Sequence, residues 1–582
     1  MRLHSRLRFA PAEVEVEKRA DGVIVLRSPL ALAPYARAVG DWLVHWSRYG
    51  PDRVFLAERE GDHWRRLTYW DALTSVRCIG QALLDLGLDR EERPVAILSE
   101  NSIDHALLAL GAMHVGVPVA PISPAYSLMS KDYTKLKYIF ELLQPGLVFA
   151  GDPLKFASAL AAVGATATPI DRLLGATPGP AVDAAFSRLT PDTTAKILFT
   201  SGSTGIPKGV INTHRMLCAN QQMLAQVWPF LSGKAQTLVD WLPWNHTFGG
   251  NFCFNMMLSL GGTLTIDAGK PAPGLVDITV RNLREVSPTL YFNVPRGYDL
   301  LLPHLENDAA LRHSFFRDLD LVFYAGAGLP SNLWERLERL AIAEKDGALS
   351  MVSSWGSTET APSAATVHYP IERAGVIGLP NPGCELKLVP SAGKLEVRVR
   401  GPHVTPGYFR REDLTREAFD EEGFYRIGDA LKFADPDVPE RGLVFDGRVA
   451  EDFKLTTGTW VAVGALRVKV IAALDPYVQD AVITGHDRDD VGLLLFLNPV
   501  TTKGLEPERL RERIREALTT WSNEGGSSTR PVRALIMADP PSIDGNEITD
   551  KGYINQRAVL ERRAALVDRL YADDADVITP DQ

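Results

Sequence analysis

The run Thr200-Ser201-Gly202-Ser203-Thr204-Gly205-Ile206-Pro207-Lys208-Gly209 follows directly on the strand-like stretch Ala195-Lys196-Ile197-Leu198-Phe199. Glycines let the backbone turn its N–H groups toward one point, the hydroxyls add donors and the lysine adds charge, a combination suited to a polyphosphate. A Walker A loop ends in Gly-Lys-Ser/Thr, whereas here Pro207 precedes Lys208 and Gly209 follows it, which disfavours a P-loop NTPase. The plainer alternative is a flexible Gly/Ser linker between domains. Pro207 and the dense Ser/Thr usage weigh against it.

Around this run, short apolar β-branched segments alternate with helical patterns: 94–98, then helical spacing over 103–114, then 117–122. Further strand-like segments follow at 146–150, 195–200, 238–242, 262–266, 289–294 and 321–325. This alternation predicts parallel strands with crossover helices in one large α/β body. From Cys384 the texture changes to alternating segments, 385–389 and 394–400, which predicts a smaller β-rich subdomain. Beyond Gly447 a short charged segment leads into a β-α-β-β-α pattern with helices over 506–519 and 555–570, a small α+β C-terminal domain. The Ala/Gly/Pro-rich stretch 161–185 reads as a surface connection.

Composition sets limits on function. The 582 residues carry 62 Lys plus Arg against 72 Asp plus Glu, a net charge of −10, without a long basic run, so no nucleic-acid partner is expected. Hydrophobic residues at 45% and charged residues at 23% suit large buried cores rather than disorder. Cys78, Cys218, Cys253 and Cys384 lie far apart, which indicates neither a disulfide scaffold nor a zinc knuckle. Glu13, Glu15 and Glu17 stand where a signal peptide would need an apolar core, and the apolar stretches 491–497 and 319–329 fall short of the roughly 20 residues that span a bilayer. A soluble, cytoplasmic protein with no membrane partner is expected.

The ten-residue run resembles the phosphate-binding signature of the adenylate-forming superfamily, which includes acyl-CoA synthetases, luciferases and peptide-synthetase adenylation domains. Its other motifs follow in order. Trp241-Leu242-Pro243-Trp244-Asn245-His246 resembles the motif that gates the acid pocket, with His246 at the gate. Trp355-Gly356-Ser357-Thr358-Glu359-Thr360 resembles the motif whose Thr contacts phosphate and whose Glu holds Mg²⁺. Tyr425-Arg426-Ile427-Gly428-Asp429 resembles the segment whose Asp takes the ribose hydroxyls, and Gly447-Arg448 opens the hinge motif. Lys551 stands where the family keeps its catalytic lysine, and Ala325-Gly326-Ala327-Gly328 where the family places adenine. The resemblance, which covers roughly 40–570, implies an N-terminal domain over 1–446, a hinge over 447–452 and a swinging C-terminal domain over 453–582.

The chemistry suits these positions. AMP transfer to a carboxylate concentrates negative charge on the α-phosphate and the departing pyrophosphate, so cations must gather there. Glu359 offers a hard oxygen ligand for Mg²⁺, the alternative being a solvated loop carboxylate. Asp429 can accept two hydrogen bonds from a cis-diol, or be a turn Asp after Gly428. Arg448 can reach the same ribose or form a surface ion pair. His246 alone would be an ordinary partly buried histidine, and the glycines of 325–328 equally serve a tight strand-to-helix turn. Trp228, Trp241, Trp244, Phe248, Phe252, Phe254, Tyr291 and Phe292 are mostly expected in the core, a few being enough to line an aromatic acid's pocket.

Three departures narrow the resemblance. Ala450 replaces the usual hinge Asp or Lys, the segment 454–461 replaces the commoner Lys-x-x-Gly stretch, and 552–560 replaces a basic tail. The segments 451–461, 242–251 and 554–560 resemble those of the feruloyl-CoA synthetases, which activate hydroxycinnamic acids. A carboxylic acid:CoA ligase follows as the leading expectation, with ATP, Mg²⁺ and CoA as cofactors, an aromatic acid as substrate and the oligomeric state open between monomer and homodimer. Delivery to a carrier protein, another aromatic or medium-chain acid, and a nucleotide-binding regulatory protein without chemistry are the competing readings.

Overall fold

The computed structural model describes residues 7–88, 92–201, 205–272, 274–345, 349–391, 393–499, 501–523, 526–549, 554–572 and 574–580. Strands Val95–Leu98, Leu147–Ala150 and Leu321–Tyr324 are buried at every position, as parallel strands covered on both faces must be. One sheet of the N-terminal body orders its strands Leu147–Ala150, Val95–Leu98, Val119–Pro121, Thr194–Ser201, Pro207–Thr213. All neighbours are parallel except the last pair, an antiparallel hairpin. The Ser/Thr/Gly run connects that hairpin. It therefore lies at the carboxyl end of a parallel strand, where open α/β sheets place their ligands.

Among the described residues the second sheet has fifteen strands, with His63–Thr68 at the edge beyond Val54–Glu60. Its parallel part comprises Val54–Glu60, Thr263–Ile266, Thr237–Asp240, Leu290–Asn293, Leu321–Tyr324 and Ser350–Gly356. After Gly356 the chain reverses, and Ser363–Thr366, Val376–Pro380, Leu443–Arg448, Tyr425–Phe433, Lys394–Arg400 and Glu385–Ser391 continue it antiparallel. The β-rich part thus begins before Cys384 and grows out of the α/β sheet. Strands Glu15–Lys18 and Ile24–Arg27, which the sequence reading did not foresee, add to its far edge on Glu385–Ser391. Their charges suit an edge: Arg27 pairs with Glu17 and Glu385.

The stretch 161–185 is not a plain connection. It carries part of helix Ala157–Ala162, helix Ile170–Leu174 and most of helix Pro180–Arg188, and Leu173, Val182 and Ala185 belong to the main core. Helices of one or two turns leave too little apolar periodicity to read from sequence.

The C-terminal part opens with a hairpin, Phe453–Lys454 and Trp460–Val461, and builds a sheet ordered Val478–Thr484, Val491–Leu497, Pro531–Ile536. It differs from the expected β-α-β-β-α pattern in two ways. Strand Pro531–Ile536 returns parallel to Val491–Leu497 after helix Pro507–Ser522, and the last helix divides into Gln556–Arg562 and Ala564–Leu570. Two apolar clusters cover this sheet, and among the described residues neither includes a side chain from before Phe453. Among the described residues no helix is long and apolar enough to cross a membrane.

Candidate active site

The described part of the Ser/Thr/Gly run begins again at Gly205, whose φ of +81° is the left-handed conformation glycine adopts freely. Gly202, Ser203 and Thr204 lie outside the described residues; Thr200 and the backbone of Ser201 end strand Thr194–Ser201. Beyond the loop, the strand carrying Lys208 is zipped to a segment of the β-rich part. Phe409 N–H donates to Gly209 O at 2.7 Å, Ile211 N–H to Gly407 O at 3.1 Å, and Thr405 Oγ1 to Ile211 O at 2.7 Å.

This zipper delivers Tyr408, which sequence reasoning missed. The Lys208 ammonium lies 5.3 Å from the centre of its ring. Its hydroxyl donates to Glu359 Oε1 at 3.2 Å and lies 3.2 Å from the Tyr425 hydroxyl. Burial holds the Tyr408 phenol well above its usual value, so it remains a donor. No motif in its own segment marks it; it is placed by an isolated bridge between Tyr408 and Val210.

Glu359 sits in the tight turn Thr358–Thr360, with Thr358, Glu359 and Thr360 all buried. Thr405 N–H ties the Glu359 carbonyl at 2.8 Å. A Cβ on Gly356 would fall 1.8 Å from Pro362 O, so the reversal after strand Ser350–Gly356 requires glycine there. Trp355 Nε1–H donates to Asp429 Oδ2 at 3.0 Å. Among the described residues Asp429 Oδ1 has no hydrogen-bond partner; Arg448 Nε lies 3.6 Å from it, on the facing strand position. Burial raises the Asp429 carboxyl above its ordinary range, opposed by Arg448 and the Trp355 N–H. Ser357 Oγ is likewise buried and unpartnered. Arg448 thus makes the ion pair of the plainer reading and stands beside the candidate ribose site as well.

Gly326, Ala327 and Gly328 are exposed in the connection between strand Leu321–Tyr324 and helix Ser331–Glu344, with Gly326 at φ +86°. The connection is longer than a tight turn.

Around the Trp241–His246 motif, Trp228, Phe252, Tyr291 and Phe292 are fully buried and Trp244, Phe248 and Phe254 nearly so, leaving Trp241 and His246 half-buried. His246 Nδ1 accepts from Phe248 N–H at 3.3 Å, which leaves Nε2 as the protonated nitrogen of the neutral ring. Two features hold this segment, and no motif announced them. Asn101 clamps it, donating to Leu242 O and accepting from Trp244 N–H, both at 2.9 Å. The second is a π-helix, Phe248–Cys253, a form frequent at functional sites. A Cβ on Gly249 or Gly250 would fall 2.3 Å from Leu242 O or Trp244 O respectively, so both glycines permit close packing against the motif. Buried Lys196 donates to Gly250 O at 2.7 Å and to Asn251 Oδ1 at 3.3 Å, and burial pulls its ammonium down to about 7.

Gly447 takes φ +93°, and the Asp452 carboxylate joins Lys394 of the N-terminal body to Val463 N–H at the start of helix Val463–Ala473. Lys551 lies outside the described residues.

The fold is an α/β body with a smaller C-terminal domain, and residues 43–409 match the AMP-binding enzyme family, residues 455–575 its C-terminal domain. The chain belongs to the AMP-binding enzyme family. It is 26% identical over 331 residues to "Probable CoA ligase CCL8" of Humulus lupulus, covering 53% of this chain and 51% of that one. It is 32% identical over 270 residues to a "Long-chain-fatty-acid–CoA ligase" of Escherichia coli O6:H1, covering 42% and 45%. The matched stretches thus span about half the length of these relatives. The o-succinylbenzoate Coenzyme A synthetase of Bacillus subtilis, solved with AMP, shares the fold at a TM-score of 0.68 and 16% identity, with 90% of this chain and 98% of that one covered.

Proposed function

We propose that the chain is an ATP-dependent carboxylic acid:CoA ligase acting on hydroxycinnamic acids such as ferulate, p-coumarate and caffeate. The acid attacks the α-phosphate of ATP, forming acyl-AMP and releasing pyrophosphate; the CoA thiol then displaces AMP to give the thioester. One observation carries the reading: Lys208, Tyr408 and Glu359 converge from three separate segments, and Trp355, on the strand that leads into Glu359, binds Asp429, whose Oδ1 is buried with no hydrogen-bond partner among the described residues.

In this reading the phosphate loop, Thr200 to Gly205, and Lys208 hold the polyphosphate while Thr358 donates to it. Asp429 Oδ1 accepts from a ribose hydroxyl, with Trp355 fixing the carboxylate and Arg448 beside it. The backbone of Gly326 to Gly328 lies against adenine. Glu359 fits Mg²⁺, a hard cation commonly held by one or two carboxylates together with substrate phosphates and water. The cation would neutralise charge on the departing pyrophosphate. His246 and Trp241 face the acid, and Lys551 stabilises the charge between carboxylate and α-phosphate. The hinge 447–452 lets 453–582 present Lys551 for the first step and another face for the thiol.

The Escherichia coli relative favours a second reading, a fatty acid in place of the aromatic one. The test is AMP release with ferulate, p-coumarate, caffeate, benzoate and octanoate, with and without CoA. Hydroxycinnamates are expected to lead and to fall within one or two orders of magnitude of one another, because an apolar slot discriminates a methyl-sized group by only about 1–3 kcal/mol. A higher kcat/KM for octanoate or benzoate overturns the aromatic specificity. No acid-dependent AMP release at all overturns the ligase reading.

A further inference from the structure

The turn that precedes Lys551 is docked on the N-terminal body. Both oxygens of the Asp544 carboxylate are taken from there: Ser130 Oγ donates to Oδ1 at 2.7 Å and Lys131 N–H to Oδ2 at 3.0 Å. Ser130 Oγ in turn accepts from Tyr133 N–H at 3.0 Å, so the hydroxyl's own proton is aimed at Asp544. At the start of helix Thr134–Leu143, Lys135 Nζ donates to Ile543 O at 2.7 Å and to Asn546 Oδ1 at 3.3 Å. Asn546 also lies against the phosphate loop, because a Cβ on Gly205 would fall 2.8 Å from its Nδ2.

The turn is stiffened from behind. The Glu547 carboxylate, almost fully buried, accepts from Ser542 N–H and from two nitrogens of Arg563, each at 2.8 Å. It therefore reaches the N-terminal body as a preformed shape. The contact itself is polar, and among the described residues no apolar cluster joins the two parts there. Hydrogen bonds that water can replace are individually weak in net terms, so such a contact can be made and released in every cycle.

We propose that Ser130, Lys131 and Lys135 form a seat for the turn Ile543–Asn546, and that occupancy of this seat sets the fraction of molecules in which the C-terminal part is held on the N-terminal body for acyl-adenylate formation. The seat residues touch no substrate. They are positioning residues for acyl-adenylate formation alone and are released when the thiol attacks. The inference rests on the two-step ligase reading above.

The test compares Asp544→Ala, Ser130→Ala and Lys135→Met with the wild type in two assays: acid-dependent ATP–pyrophosphate exchange, and thioester formation from supplied acyl-AMP and CoA. Exchange is expected to fall about tenfold or more in Asp544→Ala, while the thioester step from supplied adenylate is unchanged or faster. Ser130→Ala added to Asp544→Ala should cost little further, since the partner is already gone, and Asp544→Glu should recover part of the exchange. Melting temperatures within a few degrees of wild type separate the effect from misfolding. Equal loss in both assays, or unchanged exchange in Asp544→Ala, overturns the seat. Absence of exchange in the wild type with every acid overturns the ligase reading and the seat together, so the two failures are distinguishable.

Discussion

The indole of Trp355 holds one oxygen of Asp429 at 3.0 Å and leaves the other, Oδ1, buried with no hydrogen-bond partner among the described residues. A buried carboxylate oxygen without a donor is costly, so one that persists marks a place where a ligand supplies the donor. Trp355→Phe keeps an aromatic ring at this nearly buried position but removes the N–H together with the five-membered half of the indole. The expected result is a KM for ATP raised about tenfold with kcat changed much less, since one hydrogen bond to a charged group contributes about 1.5–3 kcal/mol. Isothermal titration with AMP reads the same loss directly. Unchanged AMP affinity would show that Oδ1 does not receive the ribose.

Tyr408 couples Glu359 to Lys208 through its hydroxyl and its ring. Tyr408→Phe retains the ring over Lys208 and frees the Glu359 carboxylate, so its expected effect is a changed Mg²⁺ requirement, seen as a displaced midpoint in a magnesium titration of pyrophosphate exchange. Glu359→Gln should lower the exchange rate itself, because an amide oxygen is a poorer ligand for a hard cation. A magnesium profile identical to wild type in both variants would remove Glu359 from the metal site.

Lys551→Ala should lose adenylation by a factor on the order of 10² to 10³, as for removal of one strong transition-state donor. Thioester formation from supplied acyl-AMP should remain nearly normal. Rapid-quench measurement of the two half-reactions distinguishes this from equal loss of both, which would sink the two-arrangement assignment.

The ammonium of Lys196 titrates at about 7 in the fold, against about 10.4 in an unfolded chain. Between those values the unfolded chain binds more protons, so stability rises with pH from 7 toward 10. Lys196→Met lacks this slope. The stability of wild type relative to the variant is therefore expected to grow by on the order of 3 kcal/mol between pH 7 and 9.5, measured by urea unfolding at both pH values. Parallel profiles would mean that Lys196 is charged in the fold.

The runs of parallel strands and the order of the motifs were determined by the sequence alone, because each depends on residues adjacent in the chain. Glycines at a turn, hydroxyls on a loop and β-branched runs state their local geometry directly. The α/β body with a smaller second domain followed from them. What joins those motifs was decided only by the tertiary structure. Tyr408 meets Glu359 across 49 positions of sequence and Ser130 meets Asp544 across 414. Sheet order and the loops between elements set those meetings, which no local pattern in either segment reports. The N-terminal edge strands and the short helices over 161–185 were hidden for the complementary reason. Their form comes from packing against a surface already built, and little of it is carried by their own periodicity.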